Sequence, residues 1–238
     1  MLIENNKKLE NIINKYKLSN YEKEEFIKII NSIFEHKEFQ RRMTNEFLHH
    51  SNITLGEHIL EDAVLTYKMC KKRNDVNVEL AVKIAMMHDL YTNPWQNNKK
   101  NKVKKFCNKH GFRHPIEAVI NSNVWFPELF KNKEESKIII DGILHHMYPL
   151  PVRRFIDSDI NKMELKNFDL INNLSDQNKK LIIESLDRKK IKNYSFSKSK
   201  YKEGRIMSKA DKKVSRGQIK NISSLTSLVT GHNKSLKK

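Results

Sequence analysis

Apolar residues recur along most of this chain at intervals of three and four, the repeat of a helix that buries one face. Leu9, Ile12 and Ile13 form one stripe and Phe26, Ile29, Ile30 and Ile33 another, with Ser19-Asn20 between them as a turn and N-cap signal. Residues 1–40 therefore read as a helical hairpin that packs on the core or on a second copy of the chain. Leu60, Ala63, Val64 and Tyr67 predict a helix from Thr54 to Lys72, and a polar turn, Arg73-Asn74-Asp75, follows it. Leu80, Ala81, Ile84 and Ala85 predict the next helix, from Asn77 to Leu90. Pro115 suits a first helical position, which makes His114 the cap of another helix. Ser136 to Met147 carries Ile139 and Ile143 on one stripe. Residues 155–203 are polar and irregular, with one predicted helix from Asp176 to Lys189. Met207, Ala210 and Val214 mark the last strong helix, before a flexible basic tail over 223–238. Strand-like alternation is scarce, so the expected fold is all-α.

The informative residues are those that break the apolar stripes. His88 continues the series of Leu80 and Ile84, and Asp89 follows it directly. If the two helices around residue 74 form an antiparallel hairpin, His58 lies roughly 18 Å before the turn and His88 roughly 15 Å after it, at nearly one level. His146 extends the Ile139–Ile143 stripe, whereas His145 shares the side of Asp141, so ligation by His145 stays open. Asp211 falls on the apolar face of the last helix. The candidate set is His58, His88, Asp89, His114, His146 and Asp211. Eight of the ten His lie between positions 49 and 146, a bias that a solvating surface does not explain. A lone His on an apolar face is ordinary core. An ordered set of imidazoles and carboxylates at inner positions needs a partner that offsets desolvation, and a divalent cation is one. Imidazole with carboxylate favours Fe or Mn, with Zn, Ni, Co or Mg as other choices, and one or two ions fit the number of donors.

At 238 residues the chain can bury a substantial core. Its opening residues lack the apolar segment of a leader, and no apolar run is long enough to span a bilayer. Two cysteines, Cys70 and Cys107, make no disulfide framework. These features predict a cytoplasmic protein with no membrane partner. The net charge of +18 comes from 46 basic against 28 acidic residues. The lysines are dispersed and not interleaved with aromatics, so nucleic acid is the lesser expectation. The positive potential still favours a phosphorylated small molecule. There is no Gly-rich phosphate loop, no nucleophile elbow and no Cys-x-x-Cys.

Several short motifs add to this pattern: His49-His50-Ser51-Asn52 followed by His58, Met87-His88-Asp89, His110-Gly111-Phe112-Arg113-His114-Pro115, His146-Met147-Tyr148-Pro149-Leu150 and Ala210-Asp211-Lys212. In order and multiplicity they resemble the HD-domain phosphohydrolase superfamily, over residues 40–154 and 204–220. The resemblance implies a helical bundle over residues 41–222, interrupted by the 155–203 insertion. It also implies that His58, His88, Asp89 and Asp211 hold a first metal. His114 and His146, with Asp89 as a bridge, resemble the ligands of a second. The chain lacks the Gly-Tyr-Pro motif, so the cyclic-dinucleotide specificity of that subgroup is not carried over. The Lys common soon after His-Asp is replaced by Leu90-Tyr91-Thr92, and Glu61-Asp62 stands where relatives tend to carry a basic-apolar pair.

The expected activity is metal-dependent hydrolysis of a nucleotide or related phosphate ester, with hydroxide generated at the metal attacking phosphorus. His50 and His110 are extra imidazoles near the motifs, suited to protonating the leaving oxygen or to supporting the ligands. Arg153, Arg154 and Lys212 are candidates to hold phosphate, and Tyr91 and Trp95 candidates to stack a base or form a lid. A di-iron centre that activates oxygen, and a non-catalytic protein that binds nucleotide or nucleic acid, are the competing expectations. A homodimer is the assembly expected if the N-terminal hairpin packs on a second copy of the chain.

Overall fold

The computed structural model describes residues 6–49, 53–94, 110–154 and 173–218. Nine α-helices occur among them, with one small sheet of two-residue strands. The all-α expectation holds. Helices α1 (Lys7–Lys15) and α2 (Asn20–Phe34) carry the two apolar stripes, and Ser19 caps α2 through a reciprocal box with Glu22. Helix α1 packs on α4 (Leu55–Cys70) and α2 on α5 (Val78–Met87). Both helices therefore dock on the core: Leu9, Ile13, Phe26 and Ile30 share one buried cluster with Ile59, Ile84, Ile143 and Met207. A short helix, α3 (Lys37–Arg42), follows.

The centre of the bundle is α4, α5, α7 (Lys133–Leu144) and α9 (Lys202–Gln218), each packed on others of the set. Thr54 caps α4 in a box with Glu57, and the Asn77 side chain caps α5, which fixes where both helices start. Helix α6 (His110–Trp125) packs on α7. Pro115 corrects the sequence expectation, because it lies inside α6 and not at its first position. Its ring costs the helix a single N–H bond, in the second turn, so His114 is an inward helical residue instead of a cap.

The described part of the 155–203 segment clasps α7. Helix α8 (Asp176–Leu186) packs against it, and Asp141 of α7 accepts from Ser199 Oγ (2.6 Å), the Lys200 N–H (2.7 Å) and Ser185 Oγ (3.1 Å). Strands β1 (Val152–Arg153), β2 (Lys190–Ile191) and β3 (Tyr194–Ser195) pair antiparallel in the order β1-β3-β2. Two residues are too few to show alternation, so periodicity gave no sign of these strands. His50, Trp95, Cys107, residues 155–172 and the 223–238 tail lie outside the described residues.

Helices α7 and α9 meet backbone to backbone at two glycines. A Cβ on Gly204 would lie 2.6 Å from the Gly142 backbone and 2.4 Å from Ser199 Oγ. Backbone on one side leaves no room to yield, so Gly204→Ala should destabilise the protein by about 1–3 kcal/mol. Gly217, also on α9, has nothing within 4 Å of its Cβ position and is the control. Thermal melts should separate the two alanine variants, and equal melting temperatures would remove the close-approach explanation.

Candidate metal centre

One turn into α4 comes His58, and one turn further Asp62, so helical spacing puts both on a single face. Helix α5 ends at His88, its C-cap, and Asp89 begins the turn beyond it. That turn is held from three sides. Asn121 Nδ2 donates to the Leu90 carbonyl (2.7 Å), the Thr92 N–H donates to Glu117 (3.4 Å), and Arg42 donates to the Tyr91 carbonyl. Arg42 is fully buried, with its guanidinium over the rings of Phe47 (4.7 Å) and Trp125 (4.6 Å). His114 comes from α6, His146 from just past the end of α7, and Asp211 from α9.

The six residues expected from sequence converge. Oδ2 of Asp89 lies 3.8 Å from His58 Nε2 and 3.7 Å from His88 Nε2. Its other oxygen, Oδ1, lies 3.2 Å from His114 Nε2 and 3.5 Å from His146 Nε2. Asp211 Oδ1 is 3.7 Å from His58 Nε2. Asp62, absent from the expected set, places Oδ2 at 3.0 Å from His58 Nε2 and 3.4 Å from His88 Nε2. All of these side chains are buried.

The far nitrogen of each imidazole is anchored. His88 Nδ1 meets the Ala85 carbonyl (2.7 Å), His146 Nδ1 that of Ile143 (2.7 Å), and His114 Nδ1 that of His110 (3.0 Å). His58 Nδ1 meets Gln218 Oε1 (2.9 Å), and Gln218 Nε2 in turn donates to Glu61 (2.7 Å). Carbonyl oxygens only accept, so each Nδ1 carries the proton and each Nε2 offers a lone pair to the interior. This is the arrangement that orients imidazoles for metal ligation.

Whether the residues fit a cation is tested by what they leave unbonded. Both carboxylate oxygens of Asp62, Oδ1 of Asp89 and Nε2 of His88 are buried without a hydrogen bond among the described residues. The Nε2 atoms of His114 and His146 face each other at 3.0 Å, where two lone pairs repel unless a cation or a shared proton lies between. Burial, then the neighbouring Asp211 and Asp89, pushes the Asp62 carboxyl well above its ordinary range. Burial works against ionised Asp89 too, but His88 and His114 outweigh it and hold that carboxyl well below the usual range. Burial also lowers His58 and, with His114 and His88 beside it, lowers His146 strongly. A buried carboxyl that resists ionisation, set beside an ionised one and imidazoles held neutral, is what a bound cation relieves. Three overlapping donor groups meet here: His58, Asp62, His88 and Asp211; His49, His58 and Asp89; and His88, Asp89 and His146. Buried His and Asp residues thus form a site able to hold a metal ion.

No protein-family model, curated protein or solved structure matches this chain. No helix among the described residues is long and apolar enough to cross a membrane.

The remaining expected residues have other placements. His110 stacks on His114 (4.8 Å between ring centroids) and offers its carbonyl to His114 Nδ1, which gives it a supporting role. Tyr91 meets the His110 ring edge-on at 4.6 Å and is buried, so it packs the site instead of forming a lid. Lys212 Nζ donates to the His146 carbonyl (3.2 Å) and to Ser208 Oγ (2.6 Å), beside the centre. Arg154 pairs with Asp187 and donates to the Lys192 carbonyl (3.1 Å), a structural engagement in place of the expected phosphate. Arg153 is buried in β1 opposite Tyr194. His145 faces Ser185 Oγ (3.2 Å) and Asp141 (4.0 Å), away from the ligand set.

Sequence reasoning missed Asp62, His49 and Gln218. Asp62 did carry a signal: it stands four residues after His58, between apolar Leu60 and Ala63. His49 stacks on His58 at 4.1 Å between centroids. Gln218 had no signal, because its role depends on how α9 crosses α4.

Proposed function

We propose that this protein is a metal-dependent phosphohydrolase acting on a nucleotide or a related phosphate ester. The observation that carries the reading is the division of Asp89, whose two oxygens face different histidine pairs, His58 with His88 and His114 with His146. A carboxylate so placed is suited to bridge two divalent ions, with Fe or Mn favoured by the mixed nitrogen and oxygen donors. Such ions supply Lewis acidity and a water acidified toward neutral pH. The order of the donors resembles the HD-domain pattern, which supports the same reaction class.

The chain's own residues do the rest. Asp89 sets the spacing of the two halves, and the anchored Nδ1 atoms keep each Nε2 aimed inward. Lys212 brings a cation to the His146 side, where an anionic substrate oxygen needs a counter-charge. The chain's net charge of +18 favours arrival of a multiply charged phosphate. A cytoplasmic setting suits a substrate of that kind.

The test is hydrolysis of a panel of phosphomonoesters, nucleotides and phosphodiesters by the protein loaded with Mn or Fe, alongside metal analysis. Metal-dependent phosphate release supports the proposal. Bound metal without hydrolysis of any panel member overturns it. The same donor set, rich in imidazole, also suits redox-active iron, so oxygen uptake by the iron form would favour the oxygenase reading instead.

A further inference from the structure

Asp62 is the feature that the expected ligand set leaves unexplained. It is fully buried, both of its oxygens lack hydrogen bonds, and Oδ2 lies within 3.0 Å of His58 Nε2 and 3.4 Å of His88 Nε2. Its neighbour Glu61 turns the other way, accepting from Gln218 and pairing with Lys15. Adjacent acids on α4 thus divide the work, one aimed into the centre and one orienting His58 through Gln218.

We infer that Asp62 is a metal ligand and that it makes the two halves of the centre unequal. This rests on the metal-centre reading above. The half formed by His58, Asp62, His88 and Asp211 is closed: four protein donors with ligand atoms all within 4.8 Å of one another. A tetrahedral ion with bonds of about 2.1 Å holds its ligands about 3.4 Å apart. The donor separations of 3.0, 3.4 and 3.7 Å bracket that value. This half has four protein donors before the bridging Oδ2 of Asp89 is added. The other half has His114, His146 and Asp89 Oδ1, three donors 3.0, 3.2 and 3.5 Å apart, the number that leaves positions open for water and substrate. A closed, carboxylate-rich half retains its ion, and an open half exchanges it.

The experiment loads the full chain with Mn2+ alone and follows metal release into excess chelator. Wild-type protein should release one ion fast and one at least about a hundredfold slower. Asp62→Asn, of the same size and without the charge, should lose the slow phase, with circular dichroism confirming that it folds. Should that variant fail to fold, His114→Ala asks the same question with Asp62 intact: it should lose the fast ion and keep the slow one. Two ions leaving wild-type protein in a single phase would overturn the asymmetry and leave the hydrolase reading standing. A slow phase that survives in folded Asp62→Asn would overturn the role of Asp62. Protein that takes up no Mn2+ would sink this inference and the proposed function together.

Discussion

Asp89→Asn should cut turnover on the order of a thousandfold, about 4 kcal/mol of lost transition-state stabilisation, while the chain stays folded and keeps one of its two ions. Asparagine has the shape of aspartate but only one oxygen and no charge. It can face His58 and His88 or face His114 and His146, but it cannot ligate towards both pairs. The open half then retains two imidazoles 3.0 Å apart and no carboxylate, too few donors to hold a hard cation. The closed half still has Asp62 and Asp211 with its two histidines. Metal analysis and steady-state hydrolysis on the same preparation check both parts. A variant that binds two ions and turns over normally would remove Asp89 as the bridge, and with it the observation on which the hydrolase reading stands.

The parts of this centre that were legible in the sequence were those set by regular helices. The level match between His58 and His88 held because Thr54 and Asn77 cap their helices where the sequence indicates, so counting residues from the turn measures distance. His146 was separable from His145 for the same reason: one continues an apolar stripe and the other shares a side with Asp141, and the structure divides them that way. Pro115 departs from the first-position expectation because the residues before it also hold helical geometry. Asp62 and Glu61 are adjacent acids, and the sequence alone does not say which of them turns inward. The burial of Asp62 becomes visible only when α5 and α9 close over α4. The three short strands and the grip of Asp141 on the 185–200 segment depend on contacts between distant residues, which periodicity does not carry.

The same accounting of buried charge predicts a large effect of metal on stability. A ligand a thousandfold above its dissociation constant stabilises a fold by about 4 kcal/mol. For a domain of this size each kcal/mol moves the melting temperature by about 2–4 °C, so stripping the metal should lower it by roughly 10 °C or more. The buried centre makes the sign of one variant depend on that metal. Without a cation, Asp62, Asp89 and Asp211 crowd a water-poor interior, and Asp62 in particular resists ionisation through burial and its two acidic neighbours. Replacing Asp62 by Asn then removes a carboxyl whose ionisation the interior opposes, and its amide can donate to the Nε2 lone pairs of His58 and His88. In chelator, Asp62→Asn should therefore melt above wild type. With Mn present the order should reverse, because the variant lacks a ligand that wild type supplies. Scanning calorimetry of both proteins in both conditions gives four melting temperatures, and the crossing is the signature. If Asp62→Asn is destabilising by the same amount with and without metal, the carboxylate is only filling space in the core and the cation it was taken to hold is not there.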